Sequence, residues 1–344
     1  MRVPSLAAIA LLGGCGSSEA AVTETDATTD SAEISDTAAL VDALPAPDAT
    51  PDTPLPGDTP NDTSPAPDAA PDAGVSSRRV WGVTTDAIDP LPEIVDALSH
   101  LPHRAMTRIV FDPGPATNYV DAARSIHAVS DVLGELVDST DVSKLTADAY
   151  EARTTEYLTA LGSSVDVWEI GNEINGEWVG TDVTQVVAKM HRAFSKVKAA
   201  GRRSALTLYY NAGCFSDARN EMVTWAAANV PSDMKSGLDW VLISYYEQDC
   251  EWRKPDWPTV FDRLAKMFPS SRVGFGECGQ DKANPALSAP LETQKADYLK
   301  RTYAIDLSPA LGDRWIGGFF WWYFHQDMVP RSKPLWSTLA GAMP

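Results

Sequence analysis

Short apolar segments alternate with amphipathic segments from residue 78 to the end of the chain. The apolar segments are continuous and rich in β-branched and aromatic residues, which is typical of parallel strands buried on both faces. Eight such strands are predicted: Val80–Thr85, Ala105–Phe111, Val132–Val137, Val165–Ile170, Leu206–Tyr210, Trp240–Ser244, Arg272–Phe275 and Ile316–Trp321.

The segments between these strands have the period of amphipathic helices. In the clearest one, Asp182–Ala200, the apolar residues fall on one face and Gly201 supplies the stop. Four others follow the same pattern: Tyr150–Leu161, Glu221–Ala228, Val260–Phe268 and Thr293–Leu307. Eight strands with intervening helices in about 265 residues predict an α/β fold of the (β/α)8 type, a TIM barrel. A doubly wound open sheet has the same rhythm, but no Gly-rich phosphate loop follows any strand, so the barrel is favoured.

The first residues have the pattern of an export signal. Leu6–Leu12 is an apolar run too short to span a bilayer, and Gly13, Gly14 and Cys15 follow it. The pattern resembles a bacterial lipoprotein signal, which implies cleavage after residue 14 and lipid attachment to Cys15. An ordinary signal peptide with a chance cysteine is the alternative.

Residues 16–77 are rich in Pro, Asp, Thr and Ala, with thirteen acidic residues and no Lys or Arg. Such a segment cannot bury enough apolar surface to offset its ordering entropy, so we expect a disordered linker. The predicted organisation is a signal peptide at 1–14, a lipidated Cys15 with its linker at 15–77, and a barrel domain at 78–344. This predicts an exported bacterial lipoprotein at the outer membrane or cell surface.

The net charge of the whole chain is −19, and the linker carries most of it. The barrel domain remains mildly acidic, which excludes the usual nucleic-acid-binding class, because that class needs a basic face. We expect a monomeric barrel. The cysteines match no zinc motif. Cys214 and Cys250 follow adjacent strands at one end of the barrel and predict a disulfide, with two free thiols as the alternative, and Cys278 should be free and buried.

The active site of a (β/α)8 barrel forms at the carboxyl ends of its strands. Asn172 and Glu173 follow the fourth predicted strand, and Glu277 follows the seventh. Acetal hydrolysis uses two carboxyl groups, one to protonate the leaving oxygen and one to attack or to activate water. We therefore expect Glu173 to be a partly desolvated proton donor with a raised pKa, and Glu277 to stay ionised beside Arg108 and Tyr246. The remaining candidate substrate-binding residues are Asn211, Tyr245, Trp178, Trp321 and Trp322.

Three motifs, WEIGNE at 168–173, GFGE at 274–277 and GFFWW at 318–322, together resemble clan A of the retaining glycoside hydrolases. The clan includes cellulases, mannanases, xylosidases and galactanases. The resemblance covers 78–344 in strand order, although only the strand ends carry recognisable motifs. It implies that Glu173 is the acid/base and Glu277 the nucleophile, with no cofactor and no metal. The implied reaction is double displacement at β-glycosidic bonds of an oligo- or polysaccharide, with the two carboxyl groups about 5–5.5 Å apart.

The same resemblance implies roles for four further residues. Asn172 would bind the sugar 2-hydroxyl, and Arg108 and Tyr246 would contact the nucleophile. The ring of Trp321 would form the base of the subsite at the cleaved bond. The chain departs from the clan at Ser244, where many members have His, so no individual family is assigned.

Several alternatives stay open at this stage. Arg108 could pair with a structural carboxylate, and Trp178 could be a loop anchor rather than a sugar platform. Only one of Trp321 and Trp322 can face the site, because neighbouring side chains of a strand point to opposite faces. A catalytically silent sugar-binding lipoprotein is the first alternative function, and a metal-dependent lyase or isomerase on the same barrel is the second.

Overall fold

The computed structural model describes residues 79–343. The predicted signal peptide at 1–14, Cys15 and the linker at 15–77 lie outside these residues, so they stay predictions. None of the helices between residues 79 and 343 is both long and apolar enough to cross a bilayer.

Eight parallel strands form a closed barrel in sequence order, from β1 to β8 and back to β1. The predicted (β/α)8 fold is therefore confirmed. The strands are β1 (Val80–Thr85), β2 (Met106–Val110), β3 (Asp131–Glu135), β4 (Val167–Glu169), β5 (Arg203–Tyr209), β6 (Trp240–Tyr245), β7 (Arg272–Cys278) and β8 (Trp315–Trp321).

Helices lie between the strands and after the last strand. Within the described residues they are α1 (Leu91–Ser99), α2 (Val120–His127), α3 (Ala147–Leu161), α4 (Val183–Ala199), α5 (Met222–Asn229), α6 (Ser232–Gly237), α7 (Trp257–Met267), α8 (Leu291–Tyr303), α9 (Ser308–Leu311), α10 (Phe324–Met328) and α11 (Pro334–Gly341). The predicted helices match α3, α4, α5, α7 and α8.

Two apolar clusters hold the barrel together. The larger one lies between the strands and the surrounding helices. The smaller one contains strand residues alone and fills the inside of the barrel: Val80, Met106, Leu133, Val167, Ala205, Trp240, Leu242, Ile316 and Phe320. Phe320 reaches across to Gly82, where an added Cβ would lie 2.6 Å from the ring. The interior is thus packed with side chains and is not a pore.

The cysteines behave as the sequence predicts. Cys214 and Cys250 form a disulfide with their Cα atoms 5.2 Å apart, which links the loop after β5 to the loop after β6. Cys278, at the end of β7, is a free thiol and is buried. It packs in the outer cluster, away from the barrel interior.

Candidate active site

The strand β4 is shorter than predicted and ends at Glu169. Glu173 therefore lies in the loop that follows this strand. Its backbone has φ 48°, in the left-handed region that a residue with a side chain rarely adopts. The carboxyl group is buried and accepts two hydrogen bonds: Ser244 Oγ donates to Oε1 at 2.6 Å and Ser139 Oγ donates to Oε2 at 2.9 Å. The strained backbone and these two hydroxyls hold the carboxyl in one orientation.

The pKa of Glu173 is raised to about 8. Burial is the main cause, because it disfavours the charged form, and the nearby charge of Glu277 adds to it. The hydrogen bonds from Ser244 and Ser139 act in the opposite direction. Glu173 therefore carries its proton at neutral pH, as the sequence predicts for a proton donor.

Glu277 enters the barrel through an irregularity in β7. Along this strand Phe275 packs in the outer cluster, so strict alternation would also turn Glu277 outward. The pairing between β6 and β7 shifts at this point: Ile243 pairs with Phe275, but Ser244 pairs with Glu277. The extra residue, Gly276, re-aims the next side chain, which is a common use of a β-bulge near a functional site. Glu277 consequently faces inward.

The Glu277 carboxyl group has two strong hydrogen-bond donors. Tyr246 Oη donates to Oε1 at 2.5 Å, and Arg108 Nη1 donates to Oε2 at 2.8 Å. Ser244 connects the two glutamates, because it donates to Glu173 and is the strand partner of Glu277. The structure thus brings both predicted carboxylates and both predicted partners of Glu277 into one site.

Arg108 faces two more carboxylates inside the barrel. Its Nε donates to Glu169 Oε2 at 2.7 Å, and its Nη2 lies 3.1 Å from Glu135 Oε2. The side chains of Arg108, Glu135 and Glu169 are fully buried. Both interpretations of Arg108 therefore hold: it contacts Glu277 and also forms a structural ion-pair network.

This sharing corrects one expectation about Glu277. We expected Arg108 and Tyr246 to keep the carboxylate readily ionised, yet its pKa is raised to about 7. Burial is the largest cause; Arg108 and Tyr246 lower the pKa, but Asp138 and Glu169 raise it. Burial likewise raises the pKa of Glu135 well above its ordinary value. One guanidinium cannot fully compensate three buried carboxylates.

Three predicted substrate-binding side chains lie around the two glutamates. Asn172 is buried, and its Oδ1 has no hydrogen-bond partner among the described residues. Trp322 lies with its ring 5.4 Å from the guanidinium carbon of Arg108. Trp178 is 41% exposed, and its Nε1 donates to the same Ser139 hydroxyl that binds Glu173. An unused acceptor and two partly exposed indoles are groups that can bind a sugar.

Three other predictions for the substrate site are wrong. Trp321 is fully buried on the outer face of β8, packs edge-on against Tyr298 of α8, and donates from Nε1 to Asp327. Since β8 alternates, Trp322 rather than Trp321 faces the site. Tyr245 also points outward, and its hydroxyl donates to the backbone of Arg253.

Asn211 is the third of these corrections. Its Nδ2 donates to the backbone oxygen of Asn220, and its Oδ1 accepts from the backbone N–H of Met222 at the start of α5. The amide is thus occupied in holding the loop after β5. It has no role in contacting substrate in this arrangement.

Sequence reasoning missed Ser139, Glu135 and Tyr209. Ser139 follows β3 in a polar turn that has no distinguishing pattern. Glu135 was detectable, because it stands two residues after the interior residue Leu133 and so shares its face. Tyr209 contacts the ring of Trp178 edge-on, with centroids 5.1 Å apart, and only the fold brings these two residues together.

Comparison with known proteins gives only structural neighbours. No family model and no curated protein matches the chain. Solved structures of Gas2p from Saccharomyces cerevisiae are similar at a low level. A complex with laminaritriose and laminaritetraose is 16% identical with a TM-score of 0.47, over 78% of this chain and 65% of that one. A complex with laminaripentaose is also 16% identical, with a TM-score of 0.47, over 78% of this chain and 65% of that one.

A third structure, of Gas2 with a compound numbered 8, is 17% identical with a TM-score of 0.48 and covers 79% of this chain. The chain spans 65% of the length of these neighbours, which is less than two thirds. At TM-scores below 0.5 the similarity assigns no activity or substrate.

Proposed function

We propose that this protein is a retaining glycoside hydrolase that cleaves β-glycosidic bonds of an oligo- or polysaccharide by double displacement. One observation carries the proposal: two buried glutamates, one in the loop after β4 and one on β7, share one site in different environments. Two serine hydroxyls donate hydrogen bonds to Glu173, whereas a guanidinium and a phenol donate to Glu277. Two carboxyl groups with distinct protonation states are what this reaction needs.

In the first step the Glu277 carboxylate attacks the anomeric carbon, and the bond from that carbon to the glycosidic oxygen breaks. Glu173 transfers its proton to this oxygen, so the leaving group departs as a neutral alcohol. Arg108 and Tyr246 orient the attacking oxygens, since each binds one of them. The product is a glycosyl ester of Glu277 and an ionised Glu173.

In the second step Glu173 accepts a proton from water while the water oxygen attacks the anomeric carbon. The ester bond breaks and Glu277 leaves as a carboxylate, which returns both groups to their starting states. The charge of Glu277 is absent from the ester, so the pKa of Glu173 falls at the stage when it must act as a base. The unpartnered Oδ1 of Asn172 can accept a hydrogen bond from the sugar 2-hydroxyl.

Product stereochemistry tests this proposal directly. The full chain is incubated with p-nitrophenyl β-glycosides and with β-linked polysaccharides, and the first-formed anomer is identified by NMR. We expect the β-anomer, and a Glu173→Ala variant with added azide should yield a β-glycosyl azide. An inverted product would overturn the retaining mechanism, and no cleavage of any β-glycoside would overturn the proposal as a whole.

The N-terminal pattern supports a second part of the proposal, that the protein is an exported bacterial lipoprotein anchored through Cys15. The short apolar run before Gly13-Gly14-Cys15 is the supporting feature. Fractionation of cells that express the full chain should find the protein with the membranes, and Cys15→Ala should release it. Persistent membrane association of that variant would contradict a lipid anchor at Cys15.

A further inference from the structure

A cleft of about 470 Å³ lies between the loop after β6, the loop after β7 and helix α8. Clefts of this size hold small ligands or a few sugar units. Neither Glu173, Glu277 nor any side chain that hydrogen-bonds to them lines it. It is therefore separate from the site described above, although both loops begin at the same carboxyl end of the barrel.

Trp252 enters this cleft from a strained part of the chain. Glu251 and Trp252 have φ of 55° and 60°, so two consecutive residues with side chains adopt the left-handed conformation. Such backbone costs free energy and persists where the surroundings impose it, often beside ligands. The indole is only partly buried, and it packs against no other aromatic ring among the described residues.

Covalent and charged contacts hold this loop in place. The disulfide between Cys214 and Cys250 ties it to the loop after β5. Arg301 of α8 donates from Nη1 and Nη2 to the two carboxylate oxygens of Glu247, at 2.9 and 3.1 Å. Gln248 accepts two hydrogen bonds from the backbone of the loop after β7, at 2.8 and 3.0 Å. The cleft is thus formed in advance, which lowers the entropy cost of binding.

The lining combines apolar and charged side chains. Leu287, which lines the cleft together with Trp252, is 55% exposed, and it and Trp178 are the large apolar side chains that stand most exposed in residues 79–343. Lys254, Asp297 and Lys300 line the same cleft. A pyranose ring has the complementary chemistry, since its C–H face stacks on an indole and its hydroxyls bond to charged groups around the edge.

We propose that this cleft is an accessory carbohydrate-binding site, which holds pyranose units of a β-linked polysaccharide near the site of Glu173 and Glu277. The inference rests on the proposed function for the choice of polymer. Binding itself does not depend on cleavage, so the two are separable by experiment.

Native gel electrophoresis measures binding independently of activity. The full chain is run through gels that contain laminarin, barley mixed-linkage β-glucan, glucomannan or galactan. We expect at least one polymer to retard the wild type, Trp252→Ala to lose most of the retardation, and Trp252→Phe to keep part of it. Lys300→Ala should weaken binding several-fold, whereas Lys266→Ala, on an exposed face of α7, should not change it.

Kinetics then distinguish the cleft from the catalytic site. Trp252→Ala should lower kcat/KM about tenfold on the polymer that retards the wild type. It should leave kcat/KM on p-nitrophenyl β-glycosides unchanged, because those small substrates occupy only the site of Glu173 and Glu277. The inference is overturned if no polymer retards the wild type, or if Trp252→Ala and Lys300→Ala both bind polymer as the wild type does. If binding depends on Trp252 but no substrate is cleaved, the cleft stands and the proposed function fails.

Discussion

The inside of the barrel has two layers that differ sharply in chemistry. The lower layer is apolar and includes Met106, Leu133, Val167, Leu242 and Phe320. Two residues further along four of these strands the interior position is polar or charged: Arg108, Glu135, Glu169 and Ser244. Because side chains alternate along a strand, a step of two residues moves along the interior without changing face. The strands β2, β3, β4 and β6 therefore supply side chains both to the interior core and to the site.

The difference teaches how the barrel supports buried charge. The lower layer gains free energy by removing apolar surface from water. The upper layer loses free energy when charges are buried, and pairing offsets that loss only in part. The raised pKa values of Glu173 and Glu277 are the result, about 8 and about 7. We expect substitutions in the lower layer to change stability and substitutions in the upper layer to change activity and its pH dependence.

Among substitutions in the upper layer, Glu277→Gln should cause the largest loss of activity. The amide cannot attack the anomeric carbon or leave as a carboxylate, so kcat should fall on the order of 10⁴-fold or more. Steady-state kinetics on p-nitrophenyl β-glycosides measure this. Circular dichroism should show an unchanged Tm or a higher one, since a buried charge is removed. Near-normal turnover would refute Glu277 as the nucleophile.

Leu242→Ala tests the lower layer and should cause a large loss of stability. Removing a buried leucine leaves a cavity, so the free energy of unfolding should drop by about 2–5 kcal/mol. Ser244→Ala, two residues along the same strand, is the matched control and should cost about 1 kcal/mol. Urea unfolding gives both values. A larger loss from Ser244→Ala would contradict the assignment of stability to the apolar layer.

Gly276→Ala tests the bulge that turns Glu277 inward. An added Cβ would lie 2.7 Å from Thr207 Oγ1 and 2.8 Å from Leu242 Cβ, so the strand must shift. A shift of about 1 Å in a reacting group lowers kcat roughly 100-fold. Gly341→Ala, where an added Cβ meets nothing within 4 Å, is the control and should leave kcat unchanged. Unchanged kcat for both would mean that the bulge does not position Glu277.

The pH dependence should show the smallest and most specific effect. Activity needs ionised Glu277 and protonated Glu173, so it should rise through pH about 7 and fall through about 8. Glu169→Gln removes a negative charge that raises the pKa of Glu277, so the rising limb should move to lower pH by roughly 0.5–1 unit.

Glu135→Gln is the control for that measurement. Asp138 and Glu169 are the charges that raise the pKa of Glu277, and Glu135 is not among them, so an amide at position 135 should move the rising limb less than Glu169→Gln does. Profiles of kcat/KM against pH for both variants provide the comparison. If the rising limb moved equally in both variants, Glu169 would not influence the pKa of Glu277 more than Glu135 does.

The sequence by itself predicted the barrel, most of the strand positions and the approach of Glu173 to Glu277, and it favoured the disulfide while two free thiols stayed open. These features depend on local period and on the order of the strands, and both are visible along the chain. Glu135 was equally accessible, since it shares the face of Leu133.

Only the tertiary structure decided which way certain side chains point and how they ionise. The outward Trp321, the inward Trp322 and the bulge at Gly276 depend on the register between neighbouring strands. The pKa of Glu277 depends on Glu169, at the end of β4, and on Asp138, in the loop after β3. Register and electrostatic coupling join residues far apart in sequence, so a pattern read along one chain cannot contain them.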